Sequence, residues 1–224
     1  MPRRSKVTPL VLAAFVFLLP AASVSAGQSA TTGLTADELA RMEHGGVVVK
    51  AETSPAGDDA RAARIKAYCV VNKPPAAVWA VMLNYQTFHE FMPRLERVEV
   101  LEKTKDAMKV TQTVRGPLGL IRYTLDLTFK RAQRTVSWAL DKSRKHDIAD
   151  TFGAWEFLPY RQGKTIVRYT TTVDSGIAVP RFVEDFLIKK DLPEVLLSMR
   201  RRTESGGTWK KEPADVRDRR PVER

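Results

Sequence analysis

Chemistry in this chain has few places to reside. Its 224 residues include three histidines, one cysteine and five tyrosines. Cys69 stands alone, so no internal disulfide and no multi-cysteine metal site can form, and its setting reads as a small core position in a strand. His44 abuts Gly45-Gly46 and reads as exposed. His89, beside Glu90 on a short helix, reads as a solvated residue. His146 with Asp147 and Asp150 has the residue types of a metal site. Lys142, Arg144 and Lys145 share that stretch and would repel a cation, so it reads as an exposed hairpin turn and no metal is expected. No phosphate-binding loop, dinucleotide fingerprint, nucleophile elbow or zinc-protease motif occurs. What remains are polar groups on apolar strand faces: Gln112, Tyr123, Tyr169 and Thr171. No Asp, Glu, His or Lys falls on that register in the clearest strands. A paired-carboxylate or His–Asp mechanism is therefore not expected, no catalytic residue is assigned and no cofactor is implied. A phenol can act as an acid, but a core tyrosine more often bonds a neighbour or turns its tip to water.

The elements that must position these groups follow from the hydrophobic period. From Leu95 to Val173 it is two. Ile121, Tyr123, Leu125, Leu127 and Phe129 alternate with Arg122, Thr124, Asp126, Thr128 and Lys130, which predicts a strand with one dry and one wet face. Val136, Trp138 and Leu140 continue the dry face, as do Trp155 and Phe157, and then Val167, Tyr169, Thr171 and Val173. Short connections make these about six antiparallel neighbours. The glycine-rich stretch Gly116–Gly119 reads as a hairpin connection. An earlier strand over 62–72 leads to Pro74 and Pro75, which suit the first turn of a helix over Ala76–Leu83. A second short helix carries Phe88, Phe91 and Met92 and ends at Pro93. After Val173 the helical period returns: Pro180 opens a helix with Glu184 and Asp185 in its first turn and Arg200–Arg202 in its last, the order a helix dipole favours. Asp191 and Pro193 predict a kink or restart within it.

The ends of the chain differ in kind from its middle. Residues 1–26 have the form of a secretory signal: Arg3, Arg4 and Lys6, an apolar run Leu10–Leu19, and small residues for cleavage after Ala26. Export to a bacterial periplasm is the expectation. The formal charge is +11, and the chain stays basic once that leader is removed. Residues 27–60 form an extension with a short helix, where Thr35 and Glu38 have capping-box spacing and Gly45-Gly46 gives a stop before a strand at Val47–Val49. Residues 61–205 form the main domain. Residues 206–224, charged and carrying Pro213 and Pro221, are expected to be a disordered tail.

An antiparallel sheet with one apolar face must cover it, and the only long apolar helix is the last one. The fold class is therefore α+β, a curved sheet wrapped around a C-terminal helix. The inward set is large and soft, and includes Met199. Both an ordinary core and a pocket for an apolar molecule present such residues.

Three stretches then resemble the START-like, helix-grip superfamily, and within it the coenzyme Q-binding and polyketide cyclase/dehydrase group. They are Pro75-Ala76-Ala77-Val78-Trp79-Ala80-Val81-Met82-Leu83-Asn84-Tyr85 with Phe88 and Phe91-Met92-Pro93; Gly153-Ala154-Trp155-Glu156-Phe157-Leu158-Pro159; and Val179-Pro180-Arg181-Phe182. Asn84 departs from the acidic residue many relatives have there, and Arg94 from their glycine or other small residue. The resemblance implies a hydrophobic cavity between sheet and C-terminal helix. The lining expected here is Phe88, Met92, Gln112, Tyr123, Leu125, Trp138, Trp155, Phe157, Tyr169, Thr171, Phe182 and Phe186. With no acid or base placed in that cavity, the leading expectation is non-catalytic binding of a lipid, sterol-like or quinone-like molecule by a monomer. A transient contact with anionic membrane is expected through Leu118, Leu120 and the basic groups, and nucleic acid is not expected as a partner. The alternatives are a polyketide cyclase or dehydratase using the same cavity, and a partner-binding domain with a filled core.

Overall fold

The computed structural model describes residues 30–52, 63–116, 119–176 and 187–212. The leader, the loop over 53–60, Leu118, the helix opening at Pro180, Phe182, Phe186 and the tail beyond Glu212 lie outside the described residues.

Among the described residues, eight strands make one antiparallel sheet. In chain order they are β1 (Val47–Glu52), β2 (Ala63–Val71), β3 (Leu95–Lys103), β4 (Ala107–Gly116), β5 (Gly119–Lys130), β6 (Thr135–Leu140), β7 (Asp150–Tyr160) and β8 (Lys164–Asp174). Their order across the sheet is β1-β2-β8-β7-β6-β5-β4-β3. The last six strands are a meander, as short connections require. β2 returns to pair with β8, so the sheet is closed in sequence only by this distant contact. The β4–β5 ladder runs as far as the pair Gly116 and Gly119.

The helices before β3 lie near where the sequence places them, but the second short one stops at Glu90, before Phe91 and Met92. α1 (Ala36–Glu43) carries the capping box: Thr35 Oγ1 accepts from the Glu38 N–H, and the Glu38 carboxylate accepts from the Thr35 N–H. α2 (Pro75–Leu83) has proline in its first turn, where no N–H is needed. A 3₁₀ turn follows over Tyr85–Glu90. The C-terminal helix breaks as Asp191 and Pro193 predict: residues 187–191 form a widened π turn, and α3 (Leu192–Glu204) restarts from it. Leu192, Leu196, Met199 and Thr203 are buried along one face of α3 at helical spacing.

α2, the 3₁₀ turn and α3 cover the concave face of the sheet. The main core joins Val78 and Met82 of α2, Tyr85, Phe88, Phe91 and Met92 after it, Leu196 and Met199 of α3, and strand residues that include Leu125, Phe129, Val136 and Phe157. Cys69 is wholly buried in it, and burial pushes its thiol up to about 12. Arg94 takes a left-handed φ of 57°, the region that favours glycine. The side chain offsets that strain with an ion pair to Asp191, which ties the start of β3 to the turn before α3.

Two expectations need correction. The outer face of the sheet is not uniformly wet: α1 packs Met42 against Val48, Tyr68, Val70, Tyr160 and Ile166 in a second core. β1 extends the sheet at its edge beside β2, so residues 34–50 add a strand and an outer layer. The chain also does not leave the domain at residue 206. Trp209 packs against the main core, and Lys211 Nζ donates to the carbonyls of Met92 and Leu95 at 2.8 and 2.6 Å. The charged composition hid this because the contacts are made by backbone, by one indole and by a lysine head that finds carbonyls.

The loop 141–149 between β6 and β7 is pinned at both ends. Lys109 Nζ lies 2.5 Å from Asp141 Oδ2, and Asp141 also accepts from the Ser143 N–H and hydroxyl. These donors hold the Asp141 carboxyl down to about 2. A lowered carboxyl contributes stability above its unfolded range, and that contribution is lost as pH falls through the folded value. Protection of the Ser143 amide, measured against its intrinsic exchange rate, is therefore expected to hold at pH 4 and to fall towards pH 2. Asp141→Asn should show the lowered protection already at neutral pH.

Candidate functional site

Among the described residues, the concave face carries a polar cluster. Strand alternation and register assemble it: Gln112 pairs with Tyr123 across β4 and β5, and Trp155 with Tyr169 across β7 and β8. Tyr85, at the start of the 3₁₀ turn, reaches the same region. Gln112 Nε2 donates to the Tyr85 hydroxyl at 2.5 Å. The Tyr85 oxygen then accepts, and its own proton is left to be donated. The Tyr169 phenol shares a hydrogen bond with Thr171, two residues along the same strand face. Burial pushes the Tyr85, Tyr123 and Tyr169 phenols upward, and the charge that Tyr123 or Tyr169 would carry if ionised raises Tyr85 further. All three therefore keep their protons at neutral pH, so they can donate hydrogen bonds and cannot serve as bases.

Aromatic rings frame the cluster. Trp138 stacks on Tyr169 with centroids 5.4 Å apart, and Trp155 lies on the same ring at 4.3 Å. Gly153 makes this possible. A Cβ there would stand 2.4 Å from Trp138 Cζ2 and 2.2 Å from the Thr170 carbonyl oxygen. The bare Cα lets the indole lie flat across β7. Gly153→Ala is expected to destabilise the fold by about 1–3 kcal/mol through this overlap. It should also change the near-ultraviolet circular dichroism as Trp138 leaves Tyr169, whereas an unchanged spectrum would mean that β7 yields instead.

The expected lining divides by burial. Phe88, Met92, Leu125, Trp155 and Phe157 are buried, with Phe157 1% exposed. Gln112 and Thr171 are buried polar groups. Tyr123, Trp138 and Tyr169 are only half buried, although they lie on the face that the helices cover. Tyr85 is the member the strand pattern misses, because it lies on no strand. Its signal was helical spacing: Val78, Met82 and Tyr85 fall at i, i+4 and i+7 and are all buried. The histidines stand elsewhere. His89 Nδ1 donates to the Gln86 carbonyl and His44 Nδ1 to the Ala40 carbonyl, both in exposed positions. His146 Nδ1 donates to the Ile148 carbonyl at 2.6 Å, and Asp150 pairs with Lys142.

A sheet gripping a C-terminal helix, with a polar-tipped aromatic cluster on its inner face, defines a helix-grip domain of the START type. The profile of the family described as polyketide cyclase / dehydrase and lipid transport matches residues 71–200, and the chain belongs to that family. Solved structures share the fold. The STAR-related lipid transfer protein of Xanthomonas axonopodis aligns with a TM-score of 0.59 at 14% identity, over 71% of this chain and 94% of that one. The Zhui aromatase/cyclase of Streptomyces sp. R1128 aligns at 0.55 and 16%, over 65% and 98%. Human StAR-related lipid transfer protein 5 aligns at 0.58 and 12%, over 72% and 83%. A sequence comparison with curated proteins finds no match.

Proposed function

We propose that this protein binds a hydrophobic small molecule on the concave face of its sheet, without turnover, as an exported monomer in the periplasm. The ligand class is a lipid, a sterol-like or a quinone-like molecule. The observation that carries this reading is the half-buried state of Tyr123, Trp138 and Tyr169. Fully packed core aromatics lose nearly all exposure, as Phe157 does, whereas these three retain surface for a ligand. Apolar rings would desolvate the ligand body, and the phenols with Gln112 would hold a polar end. At about 25 cal/mol per Å², a few hundred Å² of buried ligand surface supports micromolar binding after association costs. Export rests on the signal-like residues 1–26, and Leu120, a large and exposed side chain, fits contact with a membrane during loading.

Native mass spectrometry after incubation with phospholipid, sterol and quinone tests the reading. One adduct per chain is expected, with affinity lost in Trp138→Ala while the melting temperature is largely kept. A protein that takes up none of the three overturns it.

A cyclase or dehydratase is the second reading, favoured by three protonated phenols in one cluster. A phenol can give a proton to a developing oxyanion. Turnover of a polyketide-like substrate that disappears in folded Tyr169→Phe would establish it over the carrier reading.

A further inference from the structure

A second polar assembly occupies the opposite face of the sheet. Side chains alternate along a strand, so Gln112 and Tyr123 face inward while Thr111, Arg122 and Thr124 face outward. Thr111 and Thr124 are cross-strand partners with hydroxyl oxygens 2.9 Å apart. They are 7% and 3% exposed, although this is the outer face. The loop 141–149 stands over them. Asp147 fastens it to β5: its Oδ2 accepts from the Arg122 N–H at 2.8 Å, and its N–H donates to the Arg122 carbonyl at 3.0 Å. Between loop and sheet is a cleft of about 320 Å³ lined by Thr111, Arg122, Thr124, Arg144, Lys145 and Asp147.

Three cations and one carboxylate line this space, and the carboxylate is already engaged by backbone. Arg122 reaches Glu99 at only 3.6 Å and Arg144 reaches Asp141 at 3.5 Å. Exposed pairs of this length contribute little and leave both guanidinium groups able to turn to a ligand. Asp141 and Asp126 are both held by Lys109, at 2.5 and 2.9 Å, which tempers their repulsion of an anion. Lys145 makes no ion pair among the described residues. The threonine pair consumes one O–H within itself and leaves the other to donate.

We propose that this cleft is a binding site for a phosphate group carried on a small polar body. Two arginines, a lysine and a threonine pair line the cleft from both the sheet and the loop, which suits a tetrahedral oxyanion better than a planar carboxylate that one arginine would satisfy. The cleft is larger than a phosphate alone and has room for an attached group of glycerol size. It lies on the face opposite the aromatic cluster, so it stands or falls independently of the carrier reading.

The test is a titration of the purified, isotopically labelled protein with inorganic phosphate and with glycerol phosphate, followed by amide chemical shifts. Shifts are expected to concentrate at Thr111, Arg122, Thr124 and Lys145. The double substitution Arg144→Ala, Lys145→Ala should raise Kd at least about tenfold. Arg131→Ala, on the exposed β5–β6 hairpin, should leave it unchanged. Both replaced side chains sit on an exposed loop, and a melting curve checks the fold; Arg144→Gln gives the same comparison with a smaller change. Shifts scattered over the basic surface, an unaltered Kd in the double variant, or no response to either probe each overturn the site. Vesicles of phosphatidylglycerol, compared with phosphatidylcholine, separate the sources. Vesicle binding lost with the double variant assigns a lipid headgroup. Vesicle binding unaffected, with glycerol phosphate binding lost, assigns a soluble phosphate compound.

Discussion

Phe157→Ala is expected to lower the unfolding free energy by about 3–5 kcal/mol, the range for truncating a buried phenylalanine. The side chain is 1% exposed and meets Trp79 edge-on with centroids 6.2 Å apart, while Trp79 in turn meets Phe129 at the same distance. α2 is thus packed onto β5 and β7 through one aromatic chain centred on Trp79, and removing the Phe157 ring at its β7 end leaves a void in the main core. A fall in melting temperature on the order of 10 °C should accompany the loss. Denaturant titration measures it. A loss below about 1 kcal/mol, with ligand affinity reduced, would place Phe157 against the ligand instead of α2. The contrast with Trp138→Ala is the informative part. Phe157 is packed on all sides, whereas Trp138 keeps exposed surface, so the first variant should cost stability and the second affinity.

Arg202→Ala is expected to cost roughly 2–4 kcal/mol. The residue is 6% exposed. Its guanidinium donates to Glu90 Oε2 at 3.0 Å and to the Trp209 carbonyl at 2.8 Å, and it lies 5.2 Å from the centre of the Phe91 ring. One side chain therefore joins α3, the 3₁₀ turn and the segment after α3. The cost stays moderate for a buried pair, because Glu90 is partly exposed and keeps Lys210 at 3.4 Å. A double-mutant cycle with Glu90→Gln isolates the pair. Limited proteolysis after Ser205 should also accelerate in Arg202→Ala, since the Trp209 segment loses its anchor. Equal protease resistance in the two proteins would show that Trp209 and Lys211 hold that segment without it.

Local chemistry determined much of this protein from the sequence alone. Alternation set the inward and outward faces of β5, β7 and β8, because a strand has a period of two whatever its partners. Thr35 with Glu38, proline in the first turn of α2, and the break at Asp191–Pro193 are contacts or exclusions within a few residues, so their spacing is enough to read them. Gln112, Tyr123, Tyr169 and Thr171 were legible as the polar members of an apolar face for the same reason.

Tertiary structure decided the rest, where the partners are far apart in the chain. Tyr85 joins Gln112 only because the 3₁₀ turn packs over β4, and no strand pattern contains that contact. Gly153 is required by Trp138 of the neighbouring strand, not by any turn of its own. Tyr68, Val70 and Ile166 lie on the outer face of the sheet and are buried because α1 folds back over them. Thr111 and Thr124 are ordinary wet-face residues until the loop 141–149 closes above them. Periodicity tells a side chain which way to point; only the arrangement of distant segments tells it what it will meet there.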